Sequence, residues 1–197
     1  MNAGTPIPDH SVPAHKKRVL FDCVARGTLP FNHTTREPAL SFCDMTEIER
    51  IEDQLKRAFE GPAWHGPSVT EALADITAAQ AFAHPISGAH SIAELVQHIR
   101  TWESAVLRSV AGDGEVTVTE DENWPAVGDT SEAAWHAMIV SLVKNHLELT
   151  RVVAHYDPRR LDEVPPGAKS TAYVLLHGVI QHDIWHAAQI VLLRKGM

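Results

Sequence analysis

Four long segments of this sequence repeat apolar side chains at helical spacing, and this pattern constrains the fold more than any other feature. The apolar residues recur every three or four positions, which places them on one face of a helix. The segments cover residues 48–59, 92–110, 135–153 and 175–193. Four such helices bury their apolar faces most simply against one another. The sequence therefore predicts an all-α fold, a four-helix bundle.

Helix starts are marked by a short polar side chain followed three residues later by glutamate, the arrangement of a capping box. Four such pairs occur: Asp44 with Glu47, Ser68 with Glu71, Ser91 with Glu94, and Asp129 with Glu132. The segment after Ser68 has room for only a helical turn or two. The other three pairs predict the starts of the first three long helices.

The ends of the later helices follow from proline and from the apolar pattern. Pro158 in "YDPRR" ends the third long helix near His155, because the residue before a proline avoids the helical conformation. The last helix begins near Ser170 and runs to the end of the chain. We interpret residues 113–129 as a loop with room for a short hairpin around Val116 and Val118.

The first 44 residues differ from the rest of the chain. They contain scattered proline, threonine and histidine without a regular apolar period, and they carry both cysteines, Cys23 and Cys43. We expect residues 1–44 to be a poorly ordered extension or a misassigned start. Residues 45–197 then form one domain, since 197 residues suffice for a single core.

Charge and composition exclude several function classes. The net charge of −8 argues against nucleic acid as a partner, because binding the phosphate backbone needs clustered lysine and arginine. No apolar run approaches the length of a membrane span, so we expect no membrane partner. Two cysteines cannot make a disulfide framework, which favours a reducing cytoplasm.

The stretch "HDIWHAAQI" places His182 and His186 one helical turn apart. With thirteen histidines in the chain, about one pair at this spacing is expected by chance. The position of the pair carries more information than its spacing, because both histidines interrupt the apolar stripe of the last helix. Imidazoles in a bundle core must be hydrogen-bonded, paired or bound to metal.

Two histidines on one helix supply only two ligands, so a metal site needs a third from another helix. His98 is the best candidate, since it lies at the edge of the inward stripe of the second long helix. The alternative is that all three are hydrogen-bonded core histidines, which is how we interpret His146. A zinc protease is disfavoured, because no His, Asp or Glu follows His186 to complete its site.

The segments "AELVQHIRTWE" and "HDIWHAAQIVLLR", together with "PAWHGPSVTEAL" and "GAHSI", resemble the DinB/YfiT-like superfamily of four-helix-bundle proteins. The resemblance implies a divalent metal held by three histidines, which correspond here to His98, His182 and His186. Nickel and zinc are the metals it implies first, then iron or manganese. It also implies transferases or isomerases that use a low-molecular-weight thiol such as bacillithiol, mycothiol or glutathione, and some metal-dependent hydrolases.

Five further residues are candidates for the surroundings of the metal. Asp183 points about 100° away from His182 and is either an outer acceptor or a surface acid. Gln189 lies one turn after His186 and can bond near the metal or to a neighbouring helix. Trp102, Trp64 and His65 are candidates for a pocket wall, although core packing is the simpler interpretation of Trp102.

These features predict a metal-dependent enzyme acting on a small-molecule substrate. No cysteine lies in residues 45–197, so a sulfur nucleophile must arrive on an external thiol, as in a thiol-dependent S-transferase or isomerase. A metal-dependent hydrolase is the alternative, since a metal also activates water. A second alternative is a non-catalytic bundle that the metal stabilises and that forms a homodimer.

Overall fold

The computed structural model describes residues 45–113 and 117–197. The helices in these residues are α1 (Glu47–Phe59), α2 (Val69–Leu73), α3 (Ala78–Ala81), α4 (Ile92–Ala111), α5 (Glu120–Asn123), α6 (Glu132–Ala154) and α7 (Ala172–Lys195), with a 3-10 turn at Pro158–Arg160. No strand occurs in the described residues. The predictions made for residues 1–44, including Cys23 and Cys43, lie outside them.

The four long helices α1, α4, α6 and α7 form a bundle. Both α1 and α4 pack against α6 and α7, so α1 and α4 are diagonal to each other across the bundle. The short helix α2 lies against α7. The predicted all-α four-helix bundle is therefore confirmed, with α2, α3 and α5 as short helices in the connections.

The apolar core is divided into two halves along the bundle axis. One half contains Phe59, Ile99, Val143 and Ala187 together with α2 and the start of α4. The other contains residues that lie further toward the opposite end of the same helices, among them Ala58, Val106, Leu149 and Ile180. On α4, α6 and α7 a buried polar residue lies between the two halves: Glu103, His146 and Asp183.

Two of the four predicted helix caps are confirmed and two are wrong. The side chains of Ser68 and Ser91 accept from the backbone N–H groups of Glu71 and Glu94, as predicted. Helix α1 instead begins after Thr46, whose partner in the capping box is Glu49. Several polar residues precede each helix, and only the backbone conformation decides which of them reaches the free N–H groups.

At the start of α6 the cap is Ser131, whose side chain accepts from the N–H of Ala134. The predicted cap Asp129 instead accepts from the N–H of Ser131, two residues later. Glu132 also has a different role, since its carboxylate accepts from the N–H of Ala78 at 3.0 Å and so ties α6 to α3. The predicted end of α6 near His155 is confirmed.

The connection between α4 and α6 contains a helix that the sequence interpretation missed. Helix α5 begins after Thr119, which forms a capping box with Glu122. The prediction of a hairpin rested partly on Val116, which lies outside the described residues, and the residues described on either side contain no strand. Helix α5 packs against α4 and thereby brings the carbonyl of Asn123 to the bundle.

Helix α7 is apolar on its outer face as well as its inner one. Its side chains at Val174, Trp185 and Leu192 are more than half exposed, while the opposite side of the helix is buried. Even so, across residues 45–113 and 117–197 no helix combines the length and the hydropathy that crossing a bilayer requires.

Candidate metal centre

Three imidazoles from two helices meet at one point of the bundle. His98 comes from α4, and His182 and His186 come from successive turns of α7. The Nε2 atom of His182 lies 3.0 Å from Nε2 of His98 and 3.1 Å from Nε2 of His186. The structure thus brings together the three histidines that the sequence singles out.

Hydrogen bonds on the outer side of two rings determine where their protons lie. Nδ1 of His98 is 2.9 Å from the backbone carbonyl of Asn123, and Nδ1 of His186 is 2.6 Å from Oε1 of Gln189. Both oxygens are acceptors, so each Nδ1 must carry the proton and donate it. The Nε2 atoms of His98 and His186 therefore present lone pairs to the centre of the group.

Burial keeps the three rings neutral near pH 7. It lowers the pKa of His182 to about 3, with further lowering by the neighbouring rings of His186 and His98. It lowers the pKa of His186 to about 4, although the bond to Gln189 opposes this effect. The pKa of His98 is also lowered, chiefly by burial. A neutral imidazole is the form that binds a metal.

Hydrogen bonds among the three rings cannot satisfy this arrangement. If His182 carries its proton on Nε2, it can donate to only one neighbour, and the lone pair of the other neighbour is left without a donor. If the proton is on Nδ1, both contacts join lone pairs, and Nδ1 is buried without a hydrogen-bond partner. Two nitrogens bound tetrahedrally to one zinc ion at about 2.0–2.1 Å are about 3.3–3.4 Å apart. The Nε2 separations of 3.0 and 3.1 Å are close to this value. The donor set therefore fits a divalent ion.

An aromatic frame encloses the His98 side of the group. The indole of Trp124 stacks on His98 with ring centroids 4.0 Å apart, and it stacks on His90 at 3.5 Å. The Nε1–H of Trp102 donates to Oδ1 of Asn123 at 2.9 Å. The backbone carbonyl of Asn123 also accepts from His98. Asn123 therefore joins α5 to α4 directly beside the imidazole of His98.

Two of the other predicted residues lie at the site. Gln189 bonds directly to His186, and so it acts near the three histidines rather than on a neighbouring helix. Trp102 is 38% exposed and its ring is 6.1 Å from that of His182, so it lies at the rim of the site. The interpretation of Trp102 as a core residue is wrong, because its indole N–H bonds to α5 at the surface.

Asp183 is not a surface acid. Its side chain is fully buried, and neither of its oxygens accepts from an N–H group or a hydroxyl. Its side-chain partner is the carboxyl of Glu103. It faces Glu103 and His146 in the layer between the two core halves. Burial raises the pKa of both Asp183 and Glu103. The neighbouring Glu103 carboxyl raises the pKa of Asp183 further, whereas the hydrogen bonds of Glu103 to Asn145 and Asp183 oppose the rise of its own pKa.

Trp64 and His65 lie away from the three histidines. Trp64 is fully exposed, and both residues line a surface groove of about 690 Å³ together with Ile184 of α7. Ile184 follows His182 by two residues and therefore projects about 200° away from it around the helix. The groove thus opens on another side of α7.

The sequence interpretation missed Asn123 and Trp124 beside the three histidines, and Glu103 in the buried polar layer of the bundle. Asn123 and Trp124 were assigned to a loop, yet the Thr119 and Glu122 pair that begins α5 is a capping box visible in the sequence. Glu103 was also missed, although a carboxylate within the apolar stripe of α4 is a clear signal. The partners of these residues are distant in sequence, so no spacing predicts them.

Comparisons with known proteins identify the family. A family model described as the DinB superfamily matches residues 64–190, which is more than half of the chain. Searches of curated proteins and of solved structures found no match. The matched range contains α4, α6, most of α7 and all three histidines of the site. On this evidence the chain belongs to the DinB superfamily.

Proposed function

We propose that His98, His182 and His186 bind one divalent metal ion, and that the protein is an enzyme that transfers or isomerises a small molecule with the help of an external thiol. The observation that carries the metal site is the convergence of the three Nε2 atoms, two of them held as lone-pair donors by Asn123 and Gln189. Nickel and zinc suit an all-imidazole donor set, and iron or manganese are the further candidates.

The proposal of catalysis rests on the number of protein ligands. Within residues 45–113 and 117–197, no fourth His, Cys, Asp or Glu joins the three histidines. Structural zinc sites are usually closed by four protein ligands, whereas catalytic sites have three and leave a position for water or substrate. A divalent ion held in this way supplies Lewis-acid activation of a nucleophile or of a substrate oxygen.

The chain's own groups hold the ligands and restrict access to them. Asn123 and Gln189 fix two of the imidazoles, and the indoles of Trp124 and Trp102 line the side next to His98. Aromatic walls exclude water and accept apolar parts of a small substrate. The absence of cysteine from residues 45–197 supports an external thiol as the source of sulfur.

Metal analysis tests the site. We expect His186→Ala to lose about one ion per chain relative to the unaltered protein after equal loading with Zn²⁺ or Ni²⁺. His136→Ala is the matched control, because His136 is an exposed histidine on the outer side of α6. Equal metal content in the His186→Ala and His136→Ala proteins would exclude the proposed ligands.

Turnover assays test the reaction class. The metal-loaded protein is incubated with bacillithiol, mycothiol or glutathione and a panel of electrophiles, and loss of thiol is compared with His186→Ala. Cys23→Ser with Cys43→Ser should leave the rate unchanged, because both lie outside residues 45–197. Ester or amide hydrolysis without thiol would instead support the hydrolase.

The non-catalytic alternative makes a different prediction. If the metal only stabilises a homodimer, both assays are silent and light scattering gives twice the chain mass. The exposed apolar side chains on the outer face of α7, among them Trp185 and Leu192, supply a surface that such a dimer could bury. A monomer that consumes thiol only when metal is bound excludes this alternative.

A further inference from the structure

A second group of metal-ligating side chains lies in the bundle, apart from the three histidines. Glu103 of α4, His146 of α6 and Asp183 of α7 each offer an atom, and these atoms all lie within 4.8 Å of one another. All three side chains are completely buried. They form the polar layer that separates the two halves of the apolar core.

The hydrogen bonds of this layer leave one carboxylate without a donor. Glu103 accepts from Nδ1 of His146 at 2.7 Å and from the side-chain amide of Asn145 at 3.2 Å. Asp183 accepts no hydrogen bond from an N–H group or a hydroxyl at either oxygen, and its side-chain partner is the carboxyl of Glu103. Among the described residues, no lysine or arginine forms an ion pair with Glu103 or Asp183. In the part of the chain that the structure describes, two carboxyl groups thus lie together in a fully buried site without a lysine or arginine paired to either.

Such a site must be neutralised by protons or by a cation. A single proton shared between Glu103 and Asp183 leaves one negative charge in the core. A proton on each carboxyl removes both charges, but Asp183 then has only Glu103 as a partner, and one of its oxygens stays without a hydrogen bond. A divalent ion balances both carboxylates and coordinates the unpartnered oxygens at once. We propose that Glu103, His146 and Asp183 form a second, buried binding site for a divalent cation.

The donor set indicates the class of cation. Two carboxylate oxygens and one imidazole nitrogen suit Mn²⁺, Fe²⁺ or Zn²⁺ better than Ca²⁺ or Mg²⁺, which prefer oxygen ligands alone. The ring of His146 is held in place by stacking on Phe59, with centroids 3.7 Å apart and planes 7° from parallel. One face of the site is therefore rigid before any ion binds.

Binding of a cation would change the proton position on His146. Without the ion, Nδ1–H donates to Glu103. With the ion, Nδ1 becomes the ligand, and the proton moves to Nε2, which lies 3.3 Å from the hydroxyl oxygen of Thr150. That hydroxyl accepts the new N–H, so the ring has a hydrogen-bond partner in both states.

Metal stoichiometry in matched variants tests the proposal independently of the three-histidine site. After loading with Mn²⁺ and removal of free ion, we expect about two ions per chain in the unaltered protein and about one in Glu103→Gln with Asp183→Asn. The control is Glu148→Gln with Asp162→Asn, which alters two exposed carboxylates and should keep both ions. Loss of one ion from the first variant alone supports the second site.

The outcomes separate the two metal sites. His186→Ala should keep the ion at Glu103 and Asp183, and combining it with Glu103→Gln and Asp183→Asn should leave none. If Glu103→Gln with Asp183→Asn retains the metal content of the unaltered protein, the two carboxyls hold protons rather than a cation and the proposal fails. If His186→Ala keeps both ions while Glu103→Gln with Asp183→Asn loses one, the three-histidine site fails and the second site stands.

A measurement on the unaltered protein does not depend on whether the variants fold. Crystals soaked in Mn²⁺ should show an anomalous-scattering peak between Glu103 and Asp183, in addition to any peak at the three histidines. Nitrogen NMR should show the tautomer of His146 changing on loading. An absent peak between the carboxylates at saturating Mn²⁺ overturns the proposal.

Discussion

Removing the acceptor of His186 should weaken metal binding without unfolding the protein. In Gln189→Leu, Nδ1–H of His186 loses the oxygen that lies 2.6 Å away, and the ring is free to turn or to move its proton to Nε2. Partners of this kind typically contribute 10–100-fold to metal affinity. Gln189 is neutral and only half buried, so water can replace part of the bond. We therefore expect a loss of about tenfold, or about 1.4 kcal/mol.

Competition with a chelating dye measures this loss as a change in Kd for Zn²⁺. Gln189→Glu keeps an oxygen acceptor and should bind at least as tightly as the unaltered protein. Gln54→Leu makes the same chemical change at an exposed position of α1 and should have no effect. A Kd for Gln189→Leu within twofold of the unaltered protein would show that the bond does not position His186.

Three further predictions concern stability and the extension. A chain that begins at Met45 should keep the thermal midpoint of the full chain, and a fall of about 4 °C or more on truncation would mean that residues 1–44 pack onto the bundle. Burial lowers the pKa of His146 to about 3, whereas it titrates near 6.5 when unfolded, so protons favour the unfolded chain as pH falls below 6.5. His146 alone should therefore cost about 2 kcal/mol between pH 7.5 and pH 5. Urea unfolding of His146→Gln should lack this component, and an unchanged pH dependence would refute it. Ser131→Ala should destabilise by about 1 kcal/mol and by more than Asp129→Ala, because Ser131 is the cap of α6. The reverse order in thermal melts would favour Asp129 as the cap.

Much of the fold could be predicted from the sequence because the pattern that marks a helix lies within a few residues along the chain. The apolar period located the four long helices, and Ser68 and Ser91 marked two starts correctly. His182 and His186 face the same way because residues four apart lie on one face of any helix. This relation holds whatever the helix packs against, so it was readable before the bundle was known.

The burial of Asp183 could not be predicted in this way. Helix α7 is apolar on nearly every side, so its sequence pattern does not show which face meets the core. Only the packing of α7 against α1, α2 and α4 decides that Asp183 is inside and Trp185 is outside. The same packing decides that Glu103 and His146 face Asp183.

The sequence by itself determined the four long helices, the apolar stripes of the first three and the pair of histidines on α7, because each depends on neighbours within a few positions along the chain. The tertiary structure alone decided that His98 reaches this pair, that the carbonyl of Asn123 holds His98, and that Glu103 meets Asp183. Those contacts join residues from different helices. Their geometry depends on how the helices pack, which no local spacing encodes.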